Sequence, residues 1–598
     1  MINAMSRTSN PMMNKFLLLA SAACALFFTA CGGGATSESD VAGDPVAGDW
    51  IVIHQLSDPH GINPYVTSDA GATAMADRVF QKLLGQDFLT TDLYPVLADA
   101  RPLVSDDHLT YTFTLKQGIA FSDGKPLTAS DVVFSFKAIA NPLIADAAAL
   151  RNNYESVKDV VATTPSTVVI TMSQPYFLAE YFLGSLWIMP KHVLDPKGLT
   201  DKYTFAETKS IDAAQANPAM KEFAEWYGSE EVRRDPKLNI GSGPYAYEEW
   251  KTGESVTLRR NDAFWAKGKD AWNPAYADKL VYKVINDRNS AVVALKNAEI
   301  DFMEYVPPTK YTEEIDTVAT PHLRKYPFQT QAYSYIGFNM ARPILSDVNV
   351  RKAIAHCVDR DALIKQLVRG LATTVNSPIY QDRPEYDKSL PNIAYDPNTA
   401  KSLLAQAGWA DANGDGVLDK AINGKNTPLT LTMLINAGNE LREALAVNLS
   451  EELRKIGIKM EIRKLEWSVF QENQKARQFD LYIGGWINDP IPSDPYQIWH
   501  SSQAKNRGSN YVSFMNPRVD QLLEMNRVEF DEQKRTAYMK EFQQIIAREQ
   551  PYVFLWSPLY PAVYNRRLQN VKFSSVRPGY NPPQWWVPAG QWKYVQAQ

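Results

Sequence analysis

Cysteine and histidine are scarce in this chain of 598 residues. There are three cysteines, Cys24, Cys31 and Cys357, and seven scattered histidines. No Cys/His cluster with the spacing of a metal site is present, so a structural zinc is not indicated. Cofactors are not indicated either. Side chains from distant segments could still converge, so histidine-mediated capture of a metal chelate or heme stays open.

Familiar catalytic motifs are also missing. The sequence contains no Gly-x-Ser-x-Gly, His-Glu-x-x-His or Walker loop. Ser122 to Lys125, together with Lys251-Thr-Gly253, faintly resembles a penicillin-binding acyl-transfer site. The Ser-x-Asn element expected between the two is absent, and Ser122 lies in a turn signal rather than at a helix start. We attribute the match to chance and predict that the protein is not an enzyme.

A basic excess is lacking as well. The net charge is −5 with 22% charged and 45% hydrophobic residues, which is ordinary for a globular protein. Nucleic-acid partners need a positively charged face and are therefore not expected. The length predicts two or three domains.

One hydrophobic run stands out, from Phe16 to Phe28. It suits the apolar part of a signal peptide and is too short to span a bilayer. The small residues before Cys31 resemble a bacterial lipoprotein cleavage box. We therefore predict a signal peptide over residues 1–30, a lipid anchor on Cys31, and a flexible tether over 31–49 that is rich in Gly, Ala, Ser and Asp. Ordinary secretion without lipid is the alternative. If Cys31 carries lipid, Cys357 has no disulfide partner.

Alternation of strand and helix signals favours an α/β fold. Trp50 to His54 and Tyr111 to Leu115 are predicted strands, and Ala72 to Leu84 has helical spacing. Ser255 to Arg260 is predicted to pair with the strand that begins at Tyr245. Further along, the sequence predicts a β-α-β unit formed by residues 429–435, 440–456 and 459–463. It also predicts a helix over 470–479 that precedes a strand at Leu481. Residues 190–192 are predicted to open a loop.

Asp411, Asn413 and Asp415 carry oxygen ligands at alternate positions before Gly416, as at the start of a calcium loop. The twelfth position is Ile422 rather than the usual glutamate. A surface turn built by Asx chemistry is the alternative, and we favour it over a calcium site.

The stretch Leu481 to Asp494 is the best candidate for a binding site. An apolar strand ends at two glycines, and Trp486 and Asp489 follow, three residues apart. A carboxylate can neutralise an ammonium group while an indole packs against the apolar part next to it. The alternative is a buried tryptophan beside a turn-forming aspartate.

Four ordered blocks resemble hallmarks of the bacterial extracellular solute-binding proteins of family 5, which serve peptide and nickel ABC importers. They are residues 121–135 (FSDGKPLTASDVVFS), Gly241 to Trp265, Gly337 to Arg360, and Tyr395 to Trp409. The resemblance runs from about Trp50 to the C-terminal end.

This resemblance implies an α/β, two-lobed, periplasmic-binding-protein-like clamshell that closes by hinge motion. We predict a first lobe of 50–75, 205–334 and 565–598, with an inserted subdomain over 76–204, and a second lobe over 335–564. Two strands are expected to cross between the lobes, near 333–339 and 560–566.

The resemblance also implies that Asp489 contacts a peptide α-ammonium and that Trp486 shapes the adjacent pocket. The Pro490-Ile-Pro-Ser insertion departs from the family pattern. The predicted function is capture of peptides or peptide-like solutes for an ABC permease and its ATPase subunits, by a monomer held to a membrane through its lipid. Alternatives are a non-peptide solute such as a sugar, opine or metal chelate, a peptide sensor, and, last, a secreted hydrolase. A carboxylate-binding basic residue cannot be assigned from the sequence.

Overall fold

The structure, a computed structural model, describes residues 43–67, 70–270, 273–488, 491–505 and 508–594. These residues belong to one unit, Val41–Gln598. The predicted signal peptide, Cys31 and Asp489 lie outside the described residues.

The strands are short and are distributed over the whole described chain. In chain order they are β1 Trp50–Gln55, β2 Leu84–Gln86, β3 Leu93–Pro95, β4 Leu103–Val104, β5 Thr110–Thr114, β6 Val157–Thr164, β7 Thr167–Met172, β8 Tyr245–Lys251, β9 Ser255–Arg260, β10 Lys279–Val284, β11 Phe302–Met303, β12 Leu323–Gln329, β13 Ala332–Phe338, β14 Ala372–Thr374, β15 Asp419–Ile422, β16 Lys425–Pro428, β17 Thr430–Asn436, β18 Lys459–Leu465, β19 Leu481–Ile487, β20 Tyr552–Phe554 and β21 Trp556–Asn565.

Helices alternate with these strands. They are α1 Ala70–Val79, α2 Ala129–Ala140, α3 Ala148–Arg151, α4 Ala179–Gly184, α5 Lys191–Leu194, α6 Ile211–Ala216, α7 Pro218–Tyr227, α8 Glu230–Arg234, α9 Arg288–Lys296, α10 Val348–Ala355, α11 Arg360–Leu367, α12 Pro397–Gln406, α13 Glu440–Arg454, α14 Trp467–Lys475, α15 Tyr496–Trp499, α16 Pro517–Val528 and α17 Glu532–Glu549.

The first lobe is built on a sheet with the order β12-β21-β11-β1-β10-β9-β8. Its centre, β11-β1-β10, is parallel, and the outer strands pair antiparallel. A second sheet, β4-β5-β7-β6, packs with α2. That helix begins with a capping box of Thr128 and Asp131, in which the Asp131 carboxylate accepts the backbone amide of Thr128 at 2.8 Å.

The second lobe is built on the sheet β18-β17-β19-β13-β20. The predicted β-α-β unit is present as β17, α13 and β18, with the two strands parallel. Its core contains buried aliphatic residues from β13, β17 and β19 and from α10 and α13. The predicted hairpin of β8 and β9 in the first lobe is also present.

The chain crosses between the lobes twice. Thr330 and Gln331 join β12 of the first sheet to β13 of the second, and Leu555 joins β20 to β21. We call these two crossings the hinge. The second crossing therefore lies before the predicted 560–566, because β21 pairs with β12 of the first lobe from Leu559 onward. The first residues of β21, 556–558, pair with β14. The predicted second-lobe range 335–564 includes most of β21, which lies in the first sheet.

Two local predictions were wrong. Helix α1 ends at Val79 instead of reaching Leu84, because the amide of Gly243 donates to the Val79 carbonyl at 2.8 Å and the chain turns away. Residues 191–194 form the short helix α5 rather than a loop, and the amide of Lys191 donates to the Asp131 carboxylate at 3.0 Å.

A buried ion network fixes the start of β11. Arg567 donates to both oxygens of Asp301, at 2.6 and 2.7 Å, and also pairs with Asp49. The Asp301 carboxylate accepts the amide of Val52 in β1 at 3.0 Å. The network thus joins the beginning of the described chain, β11 and the C-terminal tail. Each buried carboxylate in it is paired with Arg567, which avoids the cost of an unpaired buried charge.

Candidate functional site

Both sheets direct the carboxyl ends of their parallel strands toward the hinge. In the first lobe β1, β10 and β11 end at the edge from which β12 runs into the hinge and at which β21 enters. In the second lobe Ile487, at the end of β19, pairs with Ala332, the first residue after the hinge. Ligands of open α/β sheets bind outside such carboxyl ends, so the space between the two edges is the candidate site.

Trp486 lies on β19 close to this edge. Its side chain is half-buried, its indole Nε1 lies 3.4 Å from the Tyr552 hydroxyl, and its ring stacks on Tyr511 with centroids 5.9 Å apart. Tyr552 in turn stacks on Tyr335. The predicted tryptophan is therefore one face of an aromatic cluster, and the cluster holds its ring in place.

Asn488, the residue before Asp489, is fixed by two hydrogen bonds. Asn488 donates its amide to the Gln331 carbonyl at 2.6 Å and its side-chain amide to the Pro378 carbonyl at 3.1 Å. Further along the chain, the Ile491 carbonyl accepts from the Arg383 guanidinium at 2.5 Å. The loop that carries Asp489 thus leaves from the hinge itself. Asp489 lies outside the described residues, and its role stays a prediction.

Glu304 occupies the opposite edge, directly after β11. It is half-buried, and the donor to it among the described residues is the Tyr580 hydroxyl, at 3.3 Å from Oε2. Burial raises the pKa of this carboxyl from 4.5 to about 7, and the Tyr580 hydrogen bond and the charge of Arg577 oppose the rise.

Tyrosines form the walls around Glu304. Tyr305 meets Tyr560 edge to face with centroids 5.6 Å apart, and Arg288 lies 5.3 Å from the centre of the Tyr305 ring. No sequence motif identified this group. It forms only because β11 meets β21 and the tail around Tyr580, both of which come far later in the chain.

Away from the hinge, the lobes touch through Asp494. Its carboxylate accepts from Arg527 of α16 at 2.9 Å and from the Tyr176 hydroxyl of the first lobe at 2.8 Å. The amide of Phe177 donates to the Arg527 carbonyl at 3.0 Å. We call this contact the interlobe clasp.

The calcium candidate forms a turn. The Asp411 carboxylate accepts the backbone amides of Gly414, Asp415 and Gly416, and Asn413 donates to Asp415 at 3.0 Å. Its oxygens are thus occupied by the loop's own N–H groups, which supports the turn alternative. Within the described ranges, no group of three or more His, Cys, Asp or Glu could hold a metal ion.

The residues of the faint acyl-transfer match lie on separate turns. Ser122 donates its amide to the Gly241 carbonyl before β8, whereas Gly253 lies beyond the far end of β8 and donates to Asp58. The length of a strand separates them, so they do not form one site.

No helix in the part of the chain that the structure describes is long and apolar enough to cross a membrane. Cys357 is free and buried, and burial raises the pKa of its thiol to about 12. A thiol in that state is inert rather than nucleophilic.

Comparison with known proteins identifies relatives over nearly the whole chain. The chain is 32% identical over 580 residues to the oligopeptide-binding protein AppA of Bacillus subtilis, covering 94% of this chain and 96% of that one. The structure of that AppA in complex with a nonapeptide matches with a TM-score of 0.72 at 29% identity, over 91% of this chain and all of that chain.

A nickel-related structure is similar too. NikZ of Campylobacter jejuni, in complex with Ni(L-His), matches with a TM-score of 0.70 at 26% identity, over 90% and 99% of the two chains. These matches confirm the predicted α/β, two-lobed fold. Residues 92–508 match the family model described as the middle part of bacterial extracellular solute-binding proteins, family 5. The chain therefore belongs to the bacterial extracellular solute-binding proteins of family 5, whose members bind solutes rather than catalyse reactions.

Proposed function

We propose that this protein captures peptides between its two lobes and delivers them to an ABC permease with its ATPase subunits. The observation that carries the proposal is the placement of Trp486 and Asn488 at the hinge edge of the second sheet, opposite the edge that carries Glu304. The likeness to an oligopeptide-binding relative along nearly the full length supports it.

The mechanism is capture and closure, with no bond made or broken. Asp489, which directly follows the fixed Asn488, neutralises the ammonium group of the peptide, and Trp486 packs against the first residue. Exposed strand edges beside the hinge can pair with an extended peptide as an additional strand. Closure then follows from the gain in contacts to both lobes.

Attachment to the membrane is part of the proposal. Cys31 carries lipid after removal of residues 1–30, and the segment that follows acts as a tether up to Ala47, because Gly48 and Asp49 are already buried in the fold. The protein acts as a monomer, since one chain supplies both edges of the site.

A non-peptide ligand is the second candidate, because a relative of similar fold is known in complex with Ni(L-His). A metal chelate needs no anchor for an α-ammonium group. Retained affinity after removal of the Asp489 carboxylate would therefore favour it.

The test combines ligand identification with one matched pair of variants. Native mass spectrometry of the purified protein identifies what co-purifies, and calorimetry measures the affinity for synthetic peptides. Asp489→Asn should weaken peptide binding by about ten- to a hundredfold, the range for a hydrogen-bonded charge. Asp361→Asn, an exposed residue of α11, removes the same charge from the same lobe and should change nothing. Equal affinities of both variants and the wild type would contradict the proposal.

The proposal also predicts a pH effect on the ligand side. An α-amino group has a pKa of about 8 and loses its charge above it, so affinity should fall as pH rises through that range. N-acetylated peptides should bind weakly at every pH.

A further inference from the structure

The first-lobe edge of the site contains the carboxyl group of Glu304, which forms no ion pair with any residue that the structure describes. Glu304 has Tyr580 as its donor, at 3.3 Å, whereas buried carboxylates usually accept several strong hydrogen bonds or pair with a cation. Asp301, three residues earlier, shows that ordinary state, with Arg567, Lys593 and the Val52 amide around it. Unlike Asp301, Glu304 therefore has no cationic partner among the described residues.

The place of Glu304 fits a ligand rather than a structural partner. It follows β11 at the carboxyl edge of β1, β10 and β11, which faces the hinge. The tail loop that carries Tyr580 also touches the hinge, because Gln331 donates to the Ser575 hydroxyl at 3.1 Å. The same Gln331 holds Asn488 through its carbonyl. Gln331 in the hinge is therefore bonded on one side to the tail loop that carries Tyr580, the donor to Glu304, and on the other side to Asn488, which follows Trp486 in the chain.

The surroundings suit an elongated group with a charged end. Tyr305, Tyr560 and Tyr580 provide aromatic surface around the carboxyl, and Phe328 packs on Tyr560 with centroids 5.7 Å apart. A methylene stem can pack on such rings while its cationic end reaches the carboxylate, and tyrosine faces themselves attract cations.

We propose that Glu304 and the tyrosines around it form a subsite for a cationic side chain, lysine or arginine, of the bound peptide. The proposal rests on the peptide-binding function above and specifies which peptides are preferred. It differs from the role of Asp489, which concerns the α-ammonium group that every unmodified peptide carries.

The other charges near the subsite are compatible with this occupant. Tyr580, Tyr560 and Arg577 face the carboxyl, and Arg288 is engaged by the Tyr305 ring. Arg577 is exposed, so solvent screens its repulsion of an incoming cation. Burial raises the pKa of Glu304 to about 7 against the opposing effects of Tyr580 and Arg577, and an arriving cation restores the ionised form.

Calorimetry with matched peptides tests the subsite. Alanine-based peptides of increasing length carry one lysine that is moved along the chain, and each has a norleucine control of nearly the same apolar length. At one position lysine should bind about tenfold more tightly than norleucine to the wild-type protein above pH 7. The preference should decrease as pH falls below about 7 and Glu304 takes up its proton.

Two variants locate the effect. Glu304→Gln keeps the shape and removes the charge, so the lysine preference should disappear while norleucine peptides bind as before. Glu299→Gln, at an exposed neighbour paired with Lys283, is the matched control and should keep the preference.

Each outcome bears on one of the two claims. If lysine and norleucine peptides bind the wild-type protein equally at all positions, the subsite is wrong and the peptide function stands. If lysine is preferred and Glu304→Gln keeps the preference, the subsite is also wrong. If no peptide of any kind binds, both claims are wrong.

Discussion

At the scale of single residues, the unusual feature is the Glu304 carboxyl group, which is partly buried and has no cationic partner among the described residues. Ionising Glu304 in the empty site costs free energy, because protein atoms replace its hydration without supplying a cation. A ligand that brings the cation recovers this cost. Empty protein and loaded protein should therefore respond differently to pH.

The first prediction concerns the stability of the empty protein. The folded-state pKa of Glu304 is raised from 4.5 to about 7, so its stabilising contribution is full below 4.5 and is lost as pH rises to about 7. Glu304→Gln removes this loss. Above pH 7 the variant should be more stable than the wild type by about 2 kcal/mol, and at pH 4 the two should be equal. Urea unfolding at several pH values measures the difference. A constant difference across this range would show that Glu304 titrates normally.

Trp486 and Glu304 show what the sequence reveals of the site. The position of Trp486 near the end of a strand was predictable, because the apolar strand, the two glycines and the tryptophan follow one another within a few positions, and its role in binding stays a prediction. The position of Glu304 was not predictable, because its neighbours Tyr560 and Tyr580 come from a distant strand and the tail. Local patterns identify elements, whereas a group formed by convergence requires the fold.

At the scale of elements, a turn with two glycines stops α1 and begins β8. The amide of Gly243 donates to the Val79 carbonyl at the helix end, and a Cβ on Gly243 would lie 2.4 Å from the Arg78 carbonyl oxygen. The close approach of two backbones explains why glycine occupies this position. It also places α1 against the strand that follows.

The second prediction follows from that approach. Gly243→Ala must push α1 away from the turn and should lower the free energy of unfolding by about 1–3 kcal/mol, the usual cost of overpacking. Gly590→Ala is the control, since a Cβ there meets nothing within 4 Å. Thermal and urea unfolding compare the two variants. If both variants unfold with the same free energy, the backbone near the Arg78 carbonyl can move aside at little cost, which would contradict the prediction.

Element predictions succeeded where the signals were local. The β17-α13-β18 unit and the β8-β9 hairpin both follow from periodicity and turn residues. The end of α1 and the position of the second crossing were wrong for one reason. Both depend on partners far away in sequence, Gly243 for the helix and β12 for β21.

At the scale of the molecule, two regions join the lobes. One is the hinge, where Gln329 donates to Ser557 at 2.6 Å and Ser557 donates to the Thr330 carbonyl at 2.9 Å, so that the two crossings support each other. The other is the interlobe clasp, beside which His108 stacks on Phe530 with centroids 3.6 Å apart. Opening of the lobes about the hinge must break the clasp and leave the hinge bonds in place.

The third prediction is that the clasp contributes to ligand retention. Tyr176→Phe removes the interlobe hydrogen bond, while Asp494 keeps Arg527, so no charge is left unpaired. Because the lost bond exists only when the lobes meet, the variant should shift the population toward open molecules. Peptide should dissociate about three- to tenfold faster, with little change in the association rate, as expected for a hydrogen bond to a charged group near solvent.

Tyr395→Phe is the matched control for the clasp, because its hydroxyl also donates to a carboxylate, Glu452 at 2.7 Å, but within the second lobe. Stopped-flow binding and small-angle scattering of ligand-free protein measure the two variants. The clasp variant alone should dissociate faster and show a larger radius of gyration. If the control changes as much, the effect lies in the tyrosine hydroxyl generally, and lobe closure is decided at the hinge and by the ligand instead.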